Sequence, residues 1–236
     1  MWGIGRRISK RLAEHGIHTV QDLRVAHTAT LRAEFGVVVE KTQRELQGVP
    51  CMVLEDVVPA KKQIVSSRSF GHSVRDVAVL KDAMSTFVAN ACVKLRAQNS
   101  HASMIQVFLE TNRFRKDSPQ YSPSLSIALP QPTNDSLVVN RWADYLVGRM
   151  FKPEYEYKKA GIMLGEISPQ GVYQSDWLEP LQSTDMRLMN ALDGLNQRFG
   201  RGTVKVSTQG AFKEWQMRQE RKSPNYTTDW GEVPVV

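Results

Sequence analysis

The chain has 236 residues in which Lys and Arg outnumber Asp and Glu by 31 to 24, a formal charge of +7. That length can bury one large core or two small ones, and the cationic excess favours an anionic partner, nucleic acid before an acidic small molecule. No apolar run is long enough to cross a bilayer and no secretory signal opens the chain, so a cytoplasmic protein with no membrane partner is expected.

The first fifty residues read as helical. Ile8 and Leu12 share a face, Arg7, Lys10 and Arg11 lie elsewhere, and Gly16 stands where a left-handed cap ends a helix. A second helix starts from Thr19 as N-cap and runs through Val20 and Leu23. A third, continuous from about Thr28 to Leu46, uses Leu31, Phe35, Val38, Val39 and Leu46 as its apolar set and stops at Gly48 and Pro50.

From Pro59 the texture changes. QIVSSRSF reads as a strand, followed after Gly71 by an amphipathic helix on Val77, Leu80, Met84, Phe87, Val88, Ala91 and Leu95. Two strands alternate Ile105, Val107, Leu109 and then Leu125, Ile127, Leu129, with the Pro- and Arg/Lys-rich loop NRFRKDSPQYSP between them. A helix from an Asn134 N-cap places Val138, Trp142, Tyr145 and Leu146 on one side, and YEYKKAGIMLGEI forms the last strand. The order β-α-β-β-α-β folds as a ferredoxin-like split sheet with both helices on one face and the other face open to a ligand. The fold class is therefore α+β. After Pro169 the periodicity weakens to a linker, a helix at about Met186 to Phe199 on Leu188, Leu192 and Leu195, and a polar basic tail, partly disordered unless bound.

Two stretches carry candidate chemistry. In GIGRRISKRL, a Gly-x-Gly turn directs backbone amides outward at a helix start, where the dipole favours an anion. Gly3, Ile4 and Gly5, with Arg6, Arg7, Lys10 and Arg11 adding charge, form the helix-hairpin-helix pattern, which grips a DNA phosphate without reading bases. In KKQIVSSRSFG, Lys61, Lys62, Ser67, Arg68 and Ser69 lie on or beside an edge strand and can each donate to phosphate oxygens; a charged edge that deters aggregation is the plainer alternative. Cys51 and Cys92 are far apart, and Cys92 falls in an apolar helical pattern, so a reduced buried thiol is expected there. The five histidines show no metal-ligand spacing, and no metal site is assigned.

MWGIGRRISKRLAEHGIHTVQDL, SSRSFG, YKKAGIMLGEISPQG, GRGTVKV and WQMRQERKSPNYTT, in this order and spacing, resemble the C-terminal half of the UmuC-type Y-family translesion DNA polymerases. The resemblance covers essentially the whole chain. It implies that residues 1–50 are thumb-like, 59–168 a little-finger DNA-binding domain, and 169–236 a clamp-binding linker and C-terminal extension. It implies damaged-DNA and primer-template binding in error-prone synthesis during the SOS response.

The family's palm, whose Asp and Glu side chains hold two divalent metals, lies N-terminal to such a thumb. Mg2+ is therefore expected only in that missing palm, no residue is assigned as catalytic, and Glu55 with Asp56 sit outside any catalytic context. Met1 stands where the family continues, which implies a truncated gene, a misassigned start or an expressed fragment. In VYQSDWLEP, Gln174, Trp177 and Leu178 are similar to a peptide that binds the sliding clamp, although Ser175 stands where many such peptides have leucine. A UmuD-type subunit and the recombinase filament are partners that the resemblance implies. The alternatives are a stand-alone DNA- or clamp-binding protein that competes with intact polymerases, and an RNA-binding ferredoxin-like module, for which Phe108 is a weak stacking candidate.

Overall fold

The computed structural model describes residues 1–51, 59–115, 117–171, 186–210, 215–217 and 222–233. The chain divides into two compact units, Met1–Pro59 and Ala60–Val236.

Among its described residues the first unit holds four helices: α1 (Arg6–Glu14), α2 (Val20–Val25), α3 (Thr28–Phe35) and α4 (Val37–Leu46). Thr19 caps α2 as expected, within a capping box in which its hydroxyl accepts from the Asp22 amide and the Asp22 carboxylate accepts from the Thr19 amide. The single helix expected from Thr28 to Leu46 is two. Gly36 breaks it with φ +82°, ψ 176°, a conformation that favours glycine, ending α3 and restarting the chain as α4. Leu12, Leu23, Leu31 and Val39 form a small core, with Ile4, Ile8 and Phe35 packed against it. Two buried polar side chains brace that core. Gln43 donates to the Ala26 carbonyl, and Glu40 pairs with Arg32 (3.2 Å) and Arg44 (2.6 Å).

The second unit is built on β1 (Ile64–Val74), α5 (Val77–Ala97), β2 (Ser100–Thr111), β3 (Ser124–Thr133), α6 (Ser136–Met150) and β4 (Tyr157–Pro169), followed by α7 (Met186–Phe199). The strands form one antiparallel sheet in the order β1-β4-β2-β3. The element order is the ferredoxin-like one, but that fold holds its first and third strands at the centre. Here β4 and β2 are central and β1 is an edge. Burial explains it: Ala160, Ile162 and Leu164 of β4 are fully buried, whereas Ser66 to Ser69 of β1 are polar and at least partly exposed. β1 also runs past Gly71 to Val74.

Ile64, Phe70, Ile105, Val107, Leu109, Ala160, Ile162 and Leu164 meet Leu80, Met84, Phe87, Val88, Ala91 and Leu95 of α5 in one core, so both helices cover one sheet face. Each fully buried Val, Leu, Ile, Phe or Met side chain among these contributes about 1.5–3 kcal/mol. Asp135, not Asn134, caps α6, accepting from the Leu137 amide at 2.7 Å; Asn134 is buried and donates to the Ser100 carbonyl. The buried stripe of α6 is Val139, Ala143, Leu146, Val147 and Met150, so Val138 and Tyr145 do not belong to it.

The C-terminal part beyond β4 is attached to the second unit at several described points. Asp193 of α7 accepts two hydrogen bonds from the buried Arg96 (Nε–Oδ2 2.6 Å, Nη2–Oδ1 2.8 Å). Thr208 meets Ser85 at 2.8 Å. Trp215 is buried edge-on against Phe87 and Phe70, with its carbonyl accepting from the Gly71 amide at 3.0 Å. Met189 is the buried apolar residue of α7; Leu188 and Leu195, expected to face the core, are 45% and 42% exposed. No described helix is long and apolar enough to cross a membrane.

Candidate nucleic-acid interface

In the first unit, Gly3 has φ +80° and Gly5 is the extended N-cap of α1, where no side chain caps the helix. The amides of the first turn of α1 are therefore left without a capping acceptor, the condition under which a helix start attracts an anion. Arg6, Arg7 and Lys10 are exposed beside it. Ile4 contributes only backbone, because its side chain packs on the unit's core. Arg11 is engaged internally. Its Nη2 donates to the Glu34 carbonyl at 2.7 Å, and its guanidinium lies 4.8 Å from the Phe35 ring centre.

In the second unit, register decides which residues share a face, since partners opposite each other in an antiparallel pair point the same way. Ser67 lies opposite Gly161 and Ser69 opposite Lys159, whereas Arg68 lies opposite the buried Ala160. Ser67 and Ser69 thus belong to the open face, and Arg68 to the helix-side face at the exposed sheet edge. The sequence grouping of these three residues is split by the pleat. Lys61 and Lys62 precede β1 and are exposed; the Lys61 backbone is pinned by the Gln98 side chain, which accepts from its amide at 3.2 Å and donates to its carbonyl at 3.1 Å.

Of the rest of the open face, sequence reasoning singled out Phe108 alone, as a weak stacking candidate. Gly161, Met163 and Gly165 of β4 are flanked there by Met104, Gln106 and Phe108 of β2, with Ser124, Ser126 and Ala128 of β3 beyond. Phe108 and Met104 lean over the two glycines, into space where a Cβ would stand 2.4 Å from the Phe108 Cζ or 2.6 Å from the Met104 Cε. Lys159 sits 5.3 Å from the Phe108 ring centre and 3.2 Å from Glu110. Gln106 donates to Ser124 at 2.8 Å. The outcome is a low surface with several hydroxyls and, at one end, the Lys159 ammonium paired with Glu110, able to donate to a sugar-phosphate backbone and poor in base-reading groups. The signal for it was present in KKAGIMLG, where Gly161 and Gly165 alternate with the apolar Ala160, Ile162 and Leu164.

Gln174, Trp177 and Leu178, like Glu55 and Asp56, lie outside the described residues. Cys92 is buried, as its helical setting predicts, and burial pushes its thiol up to about 12.

Residues 61–177 match the impB/mucB/samB family C-terminal domain, and residues 186–236 match a domain of unknown function (DUF4113). The chain is 38% identical over 235 residues to the protein UmuC of Salmonella typhimurium (strain LT2), covering 99% of this chain and 56% of that protein. It is 37% identical over 239 residues to the protein ImpB of Salmonella typhimurium, and 38% identical over 238 residues to the protein MucB of Escherichia coli, covering in each case 100% of this chain and 56% of the relative. Among solved structures, a Y-family DNA polymerase chimera of Dbh and Dpo4 aligns at 17% identity with a TM-score of 0.47, over 72% of this chain and 47% of that one. The family match over residues 61–177 makes β1 to β4 with α5 and α6 an impB/mucB/samB-type C-terminal domain. Over its whole length the chain is similar to UmuC, ImpB and MucB, as the resemblance in its sequence implied, and it spans 56% of the length of these relatives.

Proposed function

We propose that this chain is the part of a UmuC-type translesion DNA polymerase that holds the primer-template, gripping the backbone of damaged DNA without reading its sequence. The observation that carries this is the sheet face left uncovered among the described residues, where Ser67 and Ser69 lie beside Lys159 and Gln106, Ser124 and Ser126 lie further along a floor that includes Gly161 and Gly165. Such groups donate to phosphate oxygens and do not discriminate bases, which suits a template whose bases are damaged. The uncapped start of α1, with Gly3, Gly5, Arg6, Arg7 and Lys10, supplies a second phosphate contact of the helix-hairpin-helix kind. Lys61, Lys62 and Arg68 extend the cationic margin of β1.

Phosphoryl transfer would fall to a palm bearing the metal-binding carboxylates, and no residue of this chain is given a catalytic role. Gln174, Trp177 and Leu178 would dock the sliding clamp, which raises the local concentration of DNA for a weak grip. The UmuD-type subunit and the recombinase filament are further proposed partners, with no residue assigned to them.

The test is binding to a labelled primer-template across a salt series. Each phosphate neutralised adds about 0.9 to the slope of log affinity against log salt. The parent should show a steep slope, lowered separately in R6A/R7A/K10A and in K61A/K62A/K159A. Weak binding with a shallow slope that neither triple variant alters would overturn the proposal.

A further inference from the structure

The loop between β2 and β3 holds Phe114 at 95% exposure, flanked in sequence by Arg113 and Arg115. An apolar ring so exposed would ordinarily fold back against neighbouring apolar surface. Here the loop backbone is tied down instead. The Nε2 of Gln120 lies 2.9–3.1 Å from the carbonyls of Asn112, Arg115 and Ser118, and its Oε1 accepts from Thr111 Oγ1 at 2.9 Å. The Phe114 amide donates to Asn112 Oδ1 at 3.1 Å, and the Arg115 amide to the Asn112 carbonyl at 3.0 Å. A ring projected on a braced loop is preorganised to be covered by something else.

The flanking charges say what covers it. Arg113 meets Glu110 at 3.4 Å and Arg115 meets Glu156 at 3.5 Å, long single contacts from guanidinium groups that are 70% and 62% exposed. Both can exchange a carboxylate for a phosphate, and Arg-Phe-Arg then offers a stacking surface between two phosphate donors. A base inside a duplex has no free face for such a ring, whereas a base in a single strand does.

We propose that Phe114 stacks on an unpaired base of the single-stranded DNA that adjoins the duplex, with Arg113 and Arg115 on the flanking phosphates. This rests on the DNA-holding function proposed above and adds to it a preference for a tailed over a blunt duplex. The experiment uses the full chain with a blunt duplex and with the same duplex carrying a single-stranded tail that contains the fluorescent base 2-aminopurine. The parent should bind the tailed DNA more tightly and quench the fluorophore. F114A should lose about 5- to 150-fold of the affinity for tailed DNA, the range that removal of one stacked base corresponds to, and leave blunt-duplex affinity unchanged. F114W should retain both tail affinity and quenching. The proposal is overturned by F114A that binds tailed DNA as the parent does, or that loses blunt and tailed affinity equally. F114A that is silent on DNA but loses binding to a purified sliding clamp would overturn it in favour of a protein contact. If the parent itself binds neither DNA, the DNA-holding function fails first; if only F114A is silent, the stacking role fails alone.

Discussion

The ring of Phe108 lies over Gly161 so closely that a Cβ on that glycine would stand 2.4 Å from the ring's Cζ, and 2.3 Å from the Cβ of Ser67 on the other side. Both neighbours belong to the open face, one on each strand that pairs with β4. G161A should therefore overpack the sheet centre and destabilise the chain by about 1–3 kcal/mol. Adding F108A should recover only part of that loss, because the Ser67 Cβ is fixed to the backbone. Urea midpoints of parent, single and double variants measure this, and a G161A midpoint equal to the parent's would refute the packing described.

Much of the fold is legible in the chain because local patterns dictate it. The three- and four-residue steps of α5, the two-residue alternation of β2 and the Thr19 capping box each depend on near neighbours in sequence. What is not legible depends on partners far away. Ser67, Arg68 and Ser69 look alike as donors until register with β4 assigns them to opposite faces. Gly36 passes for one helical residue among many, though its φ of +82° ends one helix and starts another. The leucines of α7 form the stronger apolar stripe, yet the helix docks by Asp193 and Met189, because a buried guanidinium on α5 needs a carboxylate.

Trp215 marks where the expected tail joins the second unit's core. Its indole is 2% exposed, with ring centres 5.3 Å from Phe87 and 6.2 Å from Phe70. Truncation leaves a cavity lined by two aromatic rings, so W215A should cost about 3–5 kcal/mol. W215F, which keeps an aromatic edge against Phe87, should cost less than half of that. Chemical denaturation followed by tyrosine fluorescence and circular dichroism reads both, and a W215A midpoint unchanged from the parent's would show that this segment contributes nothing to the fold.

Arg96 is 7% exposed and gives Nε and Nη2 to Asp193, while its Nη1 donates to the Asn134 carbonyl at 2.6 Å. D193A would leave that guanidinium buried with half its acceptors gone, a loss of about 3 kcal/mol. Replacing both partners, as R96M/D193A, should be milder than D193A alone, because no uncompensated charge remains inside. The double-mutant cycle in urea decides it, and additive single losses would exclude the coupling.

His101 stands on β2 opposite Ser168 of β4, half-buried, and burial lowers its pKa below the ordinary 6.5. The folded chain therefore disfavours the imidazolium, while the unfolded chain takes up the proton normally. Stability on this account is complete above pH 6.5 and falls as the pH drops from there toward the lowered folded-state value. Asp82 and Asp144 act with the opposite sign at lower pH. Burial raises both, so their protonation favours the fold as the carboxylate range is approached. The urea midpoint should fall between about pH 7.5 and about pH 5.5, and H101Q should flatten that fall without changing the midpoint at the upper pH. A decline of the same size in H101Q would assign the pH dependence to some other group.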